Sequence, residues 1–135
     1  MTITPEMLAK VGSESAHQKA LFCWMALPEQ KARYPELDLA FHIPNGGARD
    51  SDQKVAAKRG GELKAEGVKS GVLDIFLPVA RGGWHGLFLE LKVKNNTTSE
   101  KQDKFIFRVT QQGFLAKVCY SWVAAKTALE EYLCP

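Results

Sequence analysis

Residues 71–93 read GVLDIFLPVARGGWHGLFLELKV. Side chains alternate along a strand, so each half of this stretch sorts by face. In 86–93, Leu87, Leu89, Leu91 and Val93 take one face, and Phe88, Glu90 and Lys92 take the other. In 72–79, Ile75, Leu77 and Val79 belong with the leucines, and Asp74 and Phe76 belong with Glu90 and Lys92. Arg81-Gly82-Gly83-Trp84-His85 between them is the strongest hairpin signal in the chain. Two acids and a lysine therefore share one face of a two-stranded ribbon. A turn centred on Gly82 sets Asp74 opposite Glu90, with Cβ atoms ~5 Å apart. A turn centred on Gly83 sets Asp74 opposite Lys92, with Glu90 as its diagonal neighbour. Either register brings the three groups within reach of one small ion, and the sequence does not choose between them.

Two carboxylates side by side repel, and one of them tends to hold a proton. A divalent cation removes the conflict. Mg²⁺ takes hard oxygen ligands and keeps several waters, so two carboxylates, water and a substrate phosphate suit it. Such an ion polarises the phosphate and lowers the pKa of a bound water. Lys92 would orient or deprotonate that water, or neutralise charge on the phosphate. The pattern points to hydrolysis of phosphodiesters. A plainer reading makes Asp74 a strand-end cap and Glu90–Lys92 an exposed pair on a wet sheet face. The leucine-rich flanks argue for a covered hairpin, where unpaired acids are costly.

Outward from the hairpin, residues 13–27 read as a helix capped by Ser13, with Ala16, Ala20, Cys23, Trp24 and Leu27 at helical spacing and Pro28 as its stop. Residues 37–43 alternate as a half-buried strand, ended by the turn Pro44-Asn45-Gly46-Gly47. Residues 51–66 suit a basic helix with Asp50 or Ser51 as its cap, a break or kink at Gly60-Gly61, and closure at Gly67. Asn95 to Thr98 is a loop. Ser99 opens a helix with Phe105, Ile106 and Val109 inward and Gly113 as its C-cap. A strand at 114–120 and a helix at 122–133 complete the chain. The order α-β-α-β-β-α-β-α predicts an α/β sandwich around a mixed sheet.

The chain is 135 residues long, enough for one domain and hardly two. Its apolar fraction of 45% and charged fraction of 24% exclude disordered and collagen-like classes. No run approaches the ~20 apolar residues of a membrane span, and no secretion signal is visible, so a cytoplasmic location is expected. Cys23, Cys119 and Cys134 are scattered, which argues against disulfides or a zinc site and for buried thiols. The net charge of +3 is distributed unevenly. Residues 54–69 and residues 92–108 each carry five basic and two acidic side chains, so the remainder is acidic.

Gly71-Val72-Leu73-Asp74, fifteen residues, and then Glu90-Leu91-Lys92 resemble the PD-(D/E)XK nuclease signature, with Leu73 in the place of its proline. More narrowly, the chain resembles a stand-alone VRR-NUC domain (virus-type replication-repair nuclease) over residues 13–120. Four segments carry the likeness: Glu14-x-x-x-Gln18, Pro44-Asn45-Gly46-Gly47-Ala48-Arg49, Gly71-x-x-Asp74, and Glu90-Leu91-Lys92 followed by Ser99-x-x-Gln102. The resemblance implies a restriction-endonuclease-like αβββαβ core, a central mixed β-sheet flanked by helices, with a helix inserted after the first strand. It makes residues 13–135 one nuclease domain and residues 1–12, which are weakly patterned, an extension with room for mobility. It further implies a Mg²⁺- or Mn²⁺-dependent, structure-selective DNA endonuclease. Small members, often phage-encoded, act as homodimers in the host cytoplasm, and some cut four-way (Holliday) junctions. By the same likeness Asp74, Glu90 and the backbone carbonyl of Leu91 bind the metal. Lys92 assists the water, Glu14 reaches the site as a further ligand or through water, Gln102 stands at its edge, and Gln18 lies near Glu14.

Ser99-x-x-Gln102 is equally a capping box, and Glu14 equally a favourable charge at a helix start. His42 reads as a surface or hydrogen-bonded side chain, and His17 and His85 receive no role. For DNA contacts the candidates are Arg49 beside the glycine turn, Lys54, Lys58 and Arg59 with Lys64 and Lys69, and Lys94 and Lys104 with Lys101. No base-reading element is evident, so shape recognition is expected. The rivals are a nuclease of the same fold acting on flaps, nicks or duplex DNA, and a non-catalytic DNA-binding module. The intact Asp74, Glu90 and Lys92 set speaks against the second. No membrane partner is expected.

Overall fold

The leucines of the hairpin decide which side of the sheet is closed. In the computed structural model, which describes residues 2–44 and 53–134, four strands lie in the order β1 (Phe41–His42), β2 (Ile75–Leu77), β3 (Leu87–Leu91), β4 (Leu115–Cys119). β1 and β2 are antiparallel, as are β2 and β3, whereas β3 and β4 run parallel. Ile75, Leu77, Leu87, Leu89 and Leu91 are fully buried. They form one core with Ala20, Leu21 and Trp24 of α2 (Glu14–Ala26) and Ala125 and Leu129 of α6 (Trp122–Leu133). Full burial of a side chain of this size stabilises by roughly 1.5–3 kcal/mol before entropy is charged. Tyr132 of α6 ties the helix to the hairpin by donating its hydroxyl to the Val79 carbonyl at 2.6 Å.

The opposite face of the sheet is aromatic. Phe76 and Phe88 stack with centroids 4.4 Å apart, and Phe88 meets Phe105 of α5 (Glu100–Gln111) edge-on at 5.1 Å. The result is three layers, α2 and α6 on one side of a mixed sheet and α5 on the other. Ser13, Ser99 and Ser121 cap the three helices as their hydroxyls accept backbone N–H groups. His17, on the first turn of α2, accepts the backbone N–H of Trp122 at 3.0 Å, so it fastens the start of α6 to α2.

Three local expectations fail for identifiable reasons. Residues 37–43 are not a strand: Pro35–Leu39 is a 3₁₀ turn, and β1 holds only Phe41–His42. Pro35 occupies the first helical position, and the tight turn buries Leu37 (3% exposed) while Leu39 (53%) and Phe41 (48%) face outward. Pro28 does follow the end of α2, as expected, and helical structure resumes there at once. It opens α3 (Pro28–Arg33), because Leu27 is extended and proline suits a first helical turn. Gly60-Gly61 does not interrupt α4 (Gln53–Ala65), which closes at Gly67 with φ 105° and a Val68 N–H to Leu63 carbonyl bond of 2.9 Å. The early residues contain a helix, α1 (Pro5–Ala9), whose Thr4 side chain caps it and whose Leu8 and Ala9 pack on the core.

Candidate active site

The pairing of Ile75 with Leu89 and of Phe76 with Phe88 selects the Gly82-centred register. Asp74 therefore stands opposite Glu90, one step beyond the β2–β3 ladder. Leu73 and Ile75 on either side of Asp74 are fully buried, as are Leu89 and Leu91 on either side of Glu90. Alternation then leaves both acids no choice but the opposite face. Each carboxylate also holds the other strand's backbone. The Asp74 N–H donates to Glu90 Oε1 and the Leu91 N–H donates to Asp74 Oδ2, both at 3.2 Å. On its other side the Asp74 carbonyl accepts the Ile43 N–H at 2.6 Å and lies 2.9 Å from His42 Nδ1. His42 is thus a hydrogen-bonded side chain beside the site.

Glu90 is only 2% exposed, whereas Asp74 is half-buried. Burial, and then the neighbouring Asp74 charge, push the Glu90 carboxyl up to about 7. Two groups oppose that rise: Lys92, whose Nζ lies 3.5 Å from Glu90 Oε2, and a hydrogen bond from the Gln102 side chain. Gln102 makes two contacts at once. Its Oε1 accepts the Ser99 N–H at 3.0 Å, which completes the capping box, and the same side chain, 7% exposed, reaches Glu90.

Gly71 explains how α5 comes so close. Its φ is +90°, and a Cβ there would lie 2.7 Å from Lys101 Cβ and 2.8 Å from the Lys101 carbonyl carbon and oxygen. Only glycine lets the strand leading to Asp74 press against the first turn of α5, which delivers Gln102 to Glu90.

Glu14 begins α2, where its charge suits the helix N-terminus. Its Oε2 accepts from Asn96 Nδ2 at 2.7 Å, and Gln18 lies half-buried one turn further on. Among the described residues no three His, Cys, Asp or Glu side chains come close enough together to hold a metal ion. The acidic donor set is therefore the Asp74–Glu90 pair. A buried carboxylate raised by its neighbour, with oxygen donors only, fits a hard divalent cation bound through two carboxylates and water. Asn96 escaped the sequence reading, since nothing in a polar Asn95-Asn96 loop signals a bond to a helix 82 residues away.

Of the candidate DNA contacts, Lys58 and Arg59 are exposed on α4, Lys94 is exposed with φ 56°, and Lys104 is exposed on α5. The Asn45-Gly46-Gly47 turn, Arg49 and the Asp50–Ser51 cap lie outside the described residues, as does the side chain of Lys54. Cys119 is buried, Cys23 half-buried and Cys134 exposed, all as free thiols. Among the described residues no helix is long and apolar enough to cross a membrane.

Comparison with known proteins agrees with this fold. A solved structure described as a VRR_NUC domain protein shares the fold, with a TM-score of 0.72 and 24% identity over 90% of this chain and 88% of that one. No curated protein matches the chain. The VRR-NUC domain family model matches residues 12–122. This chain therefore belongs to the VRR-NUC domain family, a family of nuclease domains.

Proposed function

We propose that this nuclease domain is a Mg²⁺- or Mn²⁺-dependent endonuclease that hydrolyses phosphodiester bonds in branched DNA such as four-way junctions, working as a homodimer in the cytoplasm. The domain spans residues 13–135, with residues 1–12 as its extension. The observation that carries the reading is the facing of Asp74 and Glu90, with Lys92 Nζ 3.5 Å from the Glu90 carboxylate. Asp74, Glu90 and the Leu91 carbonyl would hold the ion, and Glu14, which accepts from Asn96, would act through water. A bound divalent ion supplies a polarised phosphate and a water of lowered pKa. Lys92 orients the attacking water against the phosphorus and neutralises charge on the phosphate oxygens. Gln102 favours the ionised form of Glu90 against the burial and the Asp74 charge that raise it. A homodimer would bring two such sites to opposing strands of one junction. Arg49, Lys54, Lys58, Arg59, Lys94 and Lys104 contribute contacts to the phosphate backbone.

The test compares wild type with Lys92→Ala on a four-way junction and on matched linear duplex, with Mg²⁺, with Mn²⁺ and with chelator. Metal-dependent cutting of the junction by wild type alone is expected. Equal cutting by the two proteins would overturn the mechanism. Equal cutting of junction and duplex would overturn the selectivity.

A further inference from the structure

A groove of about 630 Å³ runs along the outer side of α5, between that helix and residues 69–72. Four cationic side chains line it, Lys69 from the strand approach and Lys101, Lys104 and Arg108 from the helix, and no acidic residue does. All four are exposed, and none forms an ion pair among the described residues. Val72 and Phe105 give the groove an apolar floor. The sequence places Lys69 and Lys101 in two separate basic segments. They meet because Gly71 packs against Lys101, and Lys101 Nζ then donates to Ser70 Oγ at 3.1 Å.

The groove starts where the active site ends. Gly71 is three residues from Asp74, and Lys101 precedes Gln102, whose side chain bonds Glu90. Along the helix, Lys101, Lys104 and Arg108 recur at i, i+3 and i+7, one stripe about 10 Å long at 1.5 Å per residue. A DNA strand presents its phosphates at regular intervals, and a line of cations along one helix face is the arrangement that follows them. A groove on this scale takes the backbone of one strand.

We propose that this groove binds the sugar–phosphate backbone of a single DNA strand leaving the active site, with Lys69, Lys101, Lys104 and Arg108 on its phosphates. The proposal rests on the nuclease reading above, and it makes α5 the element that tracks the substrate away from the cut.

The experiment measures binding of a fluorescent four-way junction by anisotropy across a salt series, in the Lys92→Ala background so that no cutting intervenes. Lys104→Ala/Arg108→Ala is compared with Lys10→Ala/Lys19→Ala, the same charge change at exposed sites elsewhere. The groove variant is expected to bind about tenfold more weakly or worse, with the slope of log K against log salt shallower by roughly two. Lys104→Arg/Arg108→Lys should restore both. Unchanged affinity and slope in the groove variant would overturn the proposal, as would an equal loss in the control. Failure of the parent reading has a separate signature, namely a wild-type protein that cuts no DNA with either metal.

Discussion

Asp74 and Glu90 each bind the backbone that carries the other: Glu90 accepts the Asp74 amide, and Asp74 accepts the amide of Leu91, at 3.2 Å in both cases. The β2–β3 ladder thus continues past Ile75 and Leu89 through side chains instead of carbonyls. The two acids are held in place before any ion arrives, at the cost of keeping like charges together.

That cost has a pH signature. Burial and Asp74 raise Glu90 from an ordinary carboxylate value of 4.5 to about 7. The folded state therefore binds the proton more tightly than the unfolded chain. The associated stability is complete below pH 4.5 and is lost as pH rises through 7, a change on the order of 3 kcal/mol. Metal-free protein should melt at a lower temperature at pH 8 than at pH 5, and Mn²⁺ should recover the loss at pH 8. Glu90→Gln should remove this part of the dependence. Calorimetric melts with chelator test it, and a pH profile identical in the variant would contradict it.

Gln102 and Ser99 share one cap but not one function. Ser99→Ala removes the hydroxyl that accepts the Gln102 amide and should cost about 1 kcal/mol, with little change in the pH dependence of Mn²⁺ affinity. Gln102→Ala should cost a similar amount and also remove the bond that lowers Glu90. Its Mn²⁺ affinity should then fall off at a higher pH than in wild type. Titration calorimetry at several pH values separates the two. Coincident profiles would assign Gln102 to the cap alone.

Gly71→Ala is expected to be among the most damaging single-methyl changes. The added carbon meets backbone atoms of Lys101 at 2.8 Å, and the residue must hold φ +90°. Together these should cost about 2 kcal/mol or more and displace α5 from the sheet. Denaturant melts give the stability. A loss near zero would mean that the helix slides without penalty.

His17 provides a control away from the chemistry. His17→Ala removes the acceptor of the Trp122 N–H and should destabilise by about 1 kcal/mol. Cleavage per folded molecule should be unchanged. A specific loss of activity at full folding would show that the joint between α2 and α6 reaches the site.

Local pattern made the hairpin legible. Strict alternation on both sides of a Gly-Gly turn named Asp74, Glu90 and Lys92, and the Ser13 cap and the Ser99 capping box named the starts of α2 and α5. The register was not legible, because it depends on which glycine the turn centres upon. The 3₁₀ turn at Pro35–Leu39 was misread because four apolar residues at alternate positions mimic a strand, and only tertiary packing shows that Leu37 alone is wanted by the core. The contacts of Gln102 with Glu90, of Asn96 with Glu14, and of Gly71 with Lys101 join distant segments. No periodicity within one segment encodes them.

The aromatic paving of the sheet gives the acid pair an inside and an outside. Phe76 and Phe88 stack on the same face as the carboxylates, and Glu90 is closed off while Asp74 stays half open. Solvent therefore reaches the pair from the Asp74 side. On the proposed reading, an ion would meet Asp74 at the threshold and Glu90 at the back wall, and would leave in the reverse order. The half-buried acid would then govern how fast the site fills, and the buried acid how firmly its contents are kept.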